Sequence, residues 1–172
     1  MNTLSGKSLE QLGIAELSDL FDKKQLSPVE LTEYLLSYID KNNQPINAFV
    51  TMTPELAMGQ AKEAEKRMYT GERKGCFDGI PFAVKDLIFT KDAPTTAGSD
   101  IYKNFRPAKN AFVVDRLCDA GGIMLGKTNT DQFALFPTGD RSCFGPTHNP
   151  RNLSKMSGGS SSGSGAAVAA NF

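Results

Sequence analysis

The sequence predicts an α/β fold, a mixed sheet covered by helices on both faces, on three observations. Amphipathic helical stripes occupy the first 75 residues, and from Gly75 they give way to short apolar runs punctuated by glycine and proline. Helical and strand-like segments then alternate, the pattern of a layered sheet rather than of a bundle. The run at residues 123–125 is apolar throughout and follows a glycine pair, as a buried strand would.

The elements follow in order. Leu9, Leu12, Ile14, Leu17, Leu20 and Phe21 fall near helical spacing and predict a first helix. Ser27-Pro28-Val29-Glu30 offers a cap, a proline at the first helical position and a glutamate at the third. The second helix should therefore run to about Asp40, with Leu31, Tyr34, Leu35, Tyr38 and Ile39 as its buried stripe. Asn42-Asn43-Gln44-Pro45 reads as a turn, and residues 46–52 suit a strand. Thr53-Pro54-Glu55 opens a third helix, rich in Ala, Lys and Glu, that should close near Thr70-Gly71. Beyond it, residues 80–88 read as extended, 110–120 as helical and 123–125 as a strand after the Gly121-Gly122 stop. Residues 166–170 read as a last helix, with no glycine cap, polar last turn or basic residue behind it. The expected organisation is a front helical segment, 1–75, packing on a core that 76–172 begin but leave incomplete at its C-terminal side.

Composition bounds the function. The 172 residues are 40% hydrophobic and 22% charged, with 19 basic against 19 acidic side chains. A chain of this length can bury roughly 70% of its unfolded surface, so it needs neither disulfides nor metals to hold together. No stretch approaches the roughly 18 to 20 apolar residues of a membrane span. Zero net charge leaves no basic excess for gripping nucleic acid. Cys76, Cys118 and Cys143 are widely spaced, without CxxC pairing, and read as free thiols of a reducing compartment. The first ten residues lack the apolar core of a signal peptide, which places the protein in the cytoplasm.

Several motifs carry chemistry on their face. Residues 121–128 satisfy GxxxxGK[ST], yet a phosphate loop follows a strand and opens a helix. Here the segment follows a helix, and Ile123-Met124-Leu125 would have to be exposed in a loop, so nucleotide binding is disfavoured. Residues 159–163 satisfy GxSxG, but a nucleophile elbow takes its acidic and histidine partners from later in the chain. The sole histidine, His148, precedes the serines; it reads as a loop residue without the companions a metal would need. No metal and no cofactor are expected.

Two features remain. The Ser/Gly run at 157–165 is a flexible linker by composition, but it leads into an apolar helix, whose front would favour an oxyanion or a lowered serine pKa. Lys85 interrupts the apolar run Gly79-Ile80-Pro81-Phe82-Ala83-Val84-Lys85-Asp86-Leu87-Ile88-Phe89. It is either a strand-end lysine paired with Asp86 at the surface or a buried lysine whose pKa falls by desolvation. Acting as a neutral base near pH 7 takes a shift of roughly 3 units, about 4 kcal/mol, within reach of a buried site. SxxK spacing is absent, so any Ser–Lys pair must be assembled across the fold.

Both features, with three further blocks, resemble the amidase signature family across nearly the whole chain. The blocks run from Gly79 to Asp86; Thr95-Thr96-Ala97-Gly98-Ser99; Leu125-Gly126-Lys127-Thr128-Asn129 with Thr130-Asp131-Gln132-Phe133-Ala134; Phe144-Gly145-Pro146 with Asn149-Pro150; and Gly158-Gly159-Ser160-Ser161-Ser162-Gly163-Ser164. The front helices and Ile46-Asn47-Ala48-Phe49-Val50 are most similar to the A chain of tRNA-dependent glutamine amidotransferases. The Gly-Gly-Ser-Ser-Ser-Gly-Ser variant also occurs in stand-alone amidases and allophanate hydrolases, which leaves the subfamily open.

The resemblance implies a Ser–cis-Ser–Lys triad that hydrolyses a small-molecule carboxamide, possible B and C subunits as partners, and neither nucleic acid nor membrane as a direct one. Lys85 matches the family lysine and Ser160 the bridging serine, which in the family follows a cis peptide; Gly158, Gly159 and Ser161 form its supporting loop. Ala134, Leu135, Phe136 and Pro137 match a stretch that lines the acyl side of the pocket. The family nucleophile lies in a Gly-rich loop further along than Phe172, so the chain as given is expected to be inactive alone. A non-catalytic remnant acting as a binding or assembly partner is the alternative, and a phosphate-loop nucleotide binder the third reading.

Overall fold

Local capping sets the front helices. The structure, a computed structural model, describes residues 7–172; residues 1–6, on which part of the leader expectation rests, lie outside them. Helix α1 (Ile14–Asp22) buries Leu17 and Phe21. Helix α2 (Pro28–Ile46) opens on the expected capping box: the Glu30 amide donates to Ser27 Oγ at 3.1 Å and the Ser27 amide to Glu30 Oε2 at 2.9 Å. The helix does not stop near Asp40. It carries Pro45 in its last turn at the loss of one backbone donor, and Asn47 closes it in the left-handed region at φ 57°. The Asn43 side chain then accepts from the amides of Ala48 and Phe49, at 2.9 and 2.8 Å. The expected turn is thus helix, and the strand shortens to β1 (Phe49–Met52). Helix α3 (Pro54–Thr70) ends on Gly71 as expected.

The sheet places the site. Strands β2 (Pro81–Lys85) and β3 (Ile123–Thr128) are parallel and joined through α4 (Phe112–Asp119), while β1 pairs antiparallel to β3, giving the mixed order β1-β3-β2. Every residue of the central β3 is buried, because helices cover both of its faces. Ile123 and Leu125 join α1, α2, α3 and α5 (Ser162–Ala169) in one apolar cluster, and Met124 packs with Val84 and with Val114 of α4 on the other side. The segment 121–128 is therefore a helix stop and a buried strand, not a phosphate loop. β2 stops at Lys85 rather than running to Ile88, since the Ile88 amide donates to the Lys85 carbonyl at 2.9 Å and closes a turn.

A bulge in β3 decides which side chains reach which face. Phe82 stands opposite Met124 but Ala83 opposite Gly126, so β3 carries one extra residue and its in-out alternation reverses. Lys127 consequently emerges on the Met124 side, and Thr128 emerges toward α5, where its hydroxyl lies 2.8 Å from Ser164 Oγ. Only glycine fits at 126, because a Cβ there would lie 2.2 Å from the Thr51 carbonyl oxygen.

The rest of the chain departs from expectation in two places. His148 is not in a loop: β4 (His148–Asn149) pairs with β5 (Asn152–Met156) around a turn in which Asn149 Oδ1 accepts from the Arg151 amide. Helix α5 (Ser162–Ala169) starts inside the serine run, with Ser162 and Gly163 buried, which removes the linker reading. It is also capped. Asn171 takes the left-handed conformation at φ 59°, and the Phe172 amide donates to the Ala167 carbonyl at 2.9 Å, a Schellman closure with asparagine in place of glycine.

Gly163 faces the backbone of Asn129 and Ala48, where a Cβ would lie 2.2 Å from one amide nitrogen and 2.3 Å from the other residue's carbonyl oxygen. Gly163→Ala should destabilise the chain by about 1–3 kcal/mol in urea unfolding, whereas Gly165→Ala, which meets nothing within 4 Å, should be neutral or stabilising.

Candidate active site

Lys85 ends β2 on the face shared with α5, and Ser160 stands just before that helix. Across 75 residues of chain the two side chains meet: Lys85 Nζ donates to Ser160 Oγ at 2.8 Å. Both are partly buried. The Gly159–Ser160 peptide is cis. Of the other serines in the run, Ser162 accepts from Thr147 Oγ1 at 3.2 Å, Ser164 pairs with Thr128, and Ser161 is exposed at the helix start. Ser160 is the hydroxyl of this run that faces Lys85.

The loops that hold Ser160 converge on a residue that sequence reasoning did not single out. Asp131 is fully buried; its amide donates to the Ser160 carbonyl at 3.2 Å, and its carboxylate accepts from the amides of Gly139 and Arg141, each at 2.8 Å. The Gly159 amide donates to the Pro137 carbonyl at 2.8 Å, and a Cβ on Gly159 would sit 2.1 Å from Asp131 Oδ2. Gly158 adopts φ 81°. Glycine is thus required at 159 by a close approach and favoured at 158 by backbone conformation. Asp131 falls within one of the family-like blocks, but nothing local distinguishes a carboxylate that ties two distant loops from one that caps a turn.

Burial pushes the Lys85 amine below the ordinary lysine value, and the Asp131 charge opposes that shift. The alternative pairing of Lys85 with Asp86 does not form. Successive strand residues point to opposite faces, and Asp86 is fully buried on the other side with Lys127 Nζ 3.2 Å from its Oδ1.

The segment of Ala134, Leu135, Phe136 and Pro137 lies against this loop system through the Pro137 carbonyl. Ala134 is partly buried in a left-handed turn at φ 57°, while the other three are exposed. Phe136, under the Arg141 guanidinium at 5.7 Å, lines a cavity of about 340 Å³ with Ser99, Gln132, Arg141 and Cys143. Among the described residues no group of three His, Cys, Asp or Glu is arranged to hold a metal ion, and no helix is long and apolar enough to cross a membrane. Cys76, Cys118 and Cys143 are free. Burial raises the pKa of Cys118 and Cys143, which makes neither a reactive thiolate.

An amine and a hydroxyl brought together in this way are placed so that a proton can pass between them. Residues 30–172 match the model of the Amidase family, and the chain belongs to that family. It is 44% identical over 162 residues to the A chain of the glutamyl-tRNA(Gln) amidotransferase of Geobacter metallireducens, a match covering 94% of this chain and 33% of the relative. The chain spans about a third of the length of the curated relatives it matches. Among solved structures it resembles the native peptide amidase of Stenotrophomonas maltophilia (TM-score 0.87, 36% identity, 94% of this chain and 34% of that one). It also resembles 6-aminohexanoate cyclic dimer hydrolase (TM-score 0.85, 32% identity, 96% and 33%).

The depressed Lys85 pKa has a stability signature. Between the lowered folded value and the ordinary 10.5, the unfolded chain binds more protons, so stability rises with pH through that window. Compared with Lys85→Met by urea unfolding, the parent should gain relative stability as pH climbs toward 10.5; a difference that does not change with pH would mean that Lys85 titrates normally.

Proposed function

We propose that this chain supplies the proton-relay portion of an enzyme that hydrolyses carboxamides through a Ser–cis-Ser–Lys triad. The observation that carries the reading is the 2.8 Å contact between Lys85 Nζ and Ser160 Oγ, a separation that serves with the proton on either atom. Neutral Lys85 takes a proton through Ser160 from the attacking serine, which the family resemblance places in a Gly-rich loop further along the polypeptide. That serine oxygen bonds to the amide carbon. The C–N bond then breaks as the relay returns the proton to the departing nitrogen, and ammonia or an amine leaves. Water, deprotonated through the same relay, cleaves the ester and restores the serine.

The lowered Lys85 pKa supports the base role, and Asp131 limits the shift while holding the Ser160 loop in register. Gly158, Gly159 and Ser161 give that loop its shape. Ala134, Leu135, Phe136 and Pro137 form the acyl wall, with Phe136 already facing a cavity. The step sequence calls on no cofactor. The 44% identity to the A chain of an amidotransferase favours an ammonia-releasing role beside B and C subunits in the cytoplasm, in which the charge-neutral chain leaves tRNA to its partners.

The test is an in-frame fusion of this chain to the remaining two thirds of the Geobacter metallireducens relative, assayed for ammonia release from glutamine and simple amides. The folded fusion should turn over, and Lys85→Ala or Ser160→Ala should each lower kcat by about 10³-fold or more. Turnover that survives Lys85→Ala would overturn the reading, and a folded fusion without turnover would favour the non-catalytic assembly role.

A further inference from the structure

On the opposite face of the sheet from Ser160 lies a buried ion pair that the relay does not use. Lys127 and Asp86 are both fully buried, with Lys127 Nζ 3.2 Å from Asp86 Oδ1. The ammonium donates to Thr95 Oγ1 at 2.8 Å, Thr90 Oγ1 at 3.0 Å, the Pro94 carbonyl at 3.0 Å and the Ile88 carbonyl at 3.1 Å. Three N–H groups shared among those oxygens leave Asp86 Oδ1 held as a charge rather than by a hydrogen bond, and it has no hydrogen-bond partner. Asp86 Oδ2 accepts from the Thr96 amide at 3.2 Å and from the Thr96 hydroxyl.

Each contact leads back to the site. The Ile88 amide caps the Lys85 carbonyl, and Lys127 holds Ile88 from its carbonyl side. The Asp86 amide donates to the Thr128 carbonyl at 2.9 Å, which extends the ladder one step past Lys85. The Asp86 carbonyl accepts from Ala97, whose own carbonyl accepts from Phe133, two residues from the Asp131 that holds Ser160. We propose that the Asp86–Lys127 pair positions Lys85: it clamps the 86–97 connection, fixing where the Lys85 amine stands and keeping water from it. The inference rests on the relay reading of Lys85 and Ser160.

The groups that bear on Lys85 are few. The 131–141 loop brings the Asp131 carboxylate, β3 brings Lys127 on the far face, and α5 brings only hydroxyls. Asp86 and Lys127 carry opposite charges, so removing both leaves the net field at Lys85 little changed while the clamp is lost.

The experiment uses the 172-residue chain and reads Lys85 without turnover. Competitive labelling with acetic anhydride across pH, followed by mass spectrometry of the Lys85 peptide, gives the neutral fraction of its amine. In D86N/K127M, with folding checked by circular dichroism and cooperative melting, the amine should regain hydration and its neutral fraction at pH 8 should fall about threefold. A labelling profile that coincides with the parent's overturns the proposal. So does an equal shift in Arg67→Met, which breaks a partly buried pair elsewhere, Arg67 with Asp78, on α3 and the approach to β2. Should the double variant fail to fold, Thr95→Val removes one acceptor of the ammonium; a smaller shift in the same direction supports the clamp, and coincidence with the parent overturns it. Because labelling and fusion turnover are separate readouts, a silent fusion with a shifted profile refutes the amidase reading alone.

Discussion

Lys85 and Asp86 are neighbours in sequence, and the structure depends on their facing opposite ways. A strand end delivers successive side chains to opposite faces, so one charge is offered to a partly open site and the other is driven into the interior. The interior charge needs a counter-ion at the right height on the adjacent strand. The bulge at Gly126 supplies it by reversing the alternation of β3, which turns Lys127 away from α5. Without the extra residue, Lys127 would share a face with Lys85 and Asp86 would be buried alone, a loss that removing one partner of a buried pair puts at about 3–5 kcal/mol.

The division of labour between the faces follows. On the α5 side, hydroxyls satisfy one another, Thr128 with Ser164 and Thr147 with Ser162, and leave Ser160 to the lysine. On the other side a single ammonium gathers carbonyls and hydroxyls from a connection that has no helix or strand of its own between Asp86 and Ala97. Burial shifts both partners of that pair toward neutrality, Asp86 upward and Lys127 downward. The oxygens converging on Nζ oppose this, since four acceptors arranged around one nitrogen favour its protonated form.

Much of this is legible in the sequence where the cause is local. The Ser27–Glu30 box, the Gly71 stop and the apolar β3 core each depend on residues within one turn of one another. Lys85 and the serine run are conspicuous because a charge inside an apolar run and hydroxyls before an apolar helix are both anomalous; within that run only the family resemblance singles out Ser160. What escapes is what depends on distant partners. Asn43 prolongs α2 past Asn42-Asn43-Gln44-Pro45 only because its side chain reaches the start of β1. The β4–β5 hairpin is two residues wide at one strand, below what periodicity can register. Asp131 and the pairing of Asp86 with Lys127 need the sheet assembled before either carboxylate has an identifiable partner.

The contact between Gly159 and Asp131 also bears on how such a site can vary. Because a Cβ at 159 would occupy the space of the carboxylate, no substitution there can be tested independently of position 131, and a shortened residue at 131 would free the loops it ties. The two positions are therefore physically coupled: a side chain at 159 displaces the carboxylate that ties the loops. Ser161, one residue from Ser160, shapes the loop through its backbone, the carbonyl accepting from the Gly165 amide at 3.1 Å, while its side chain is exposed and makes no capping hydrogen bond. A change of that outward side chain would leave the hydrogen-bonded frame behind it, Asp131 with Gly139, Arg141 and Ser160, in place.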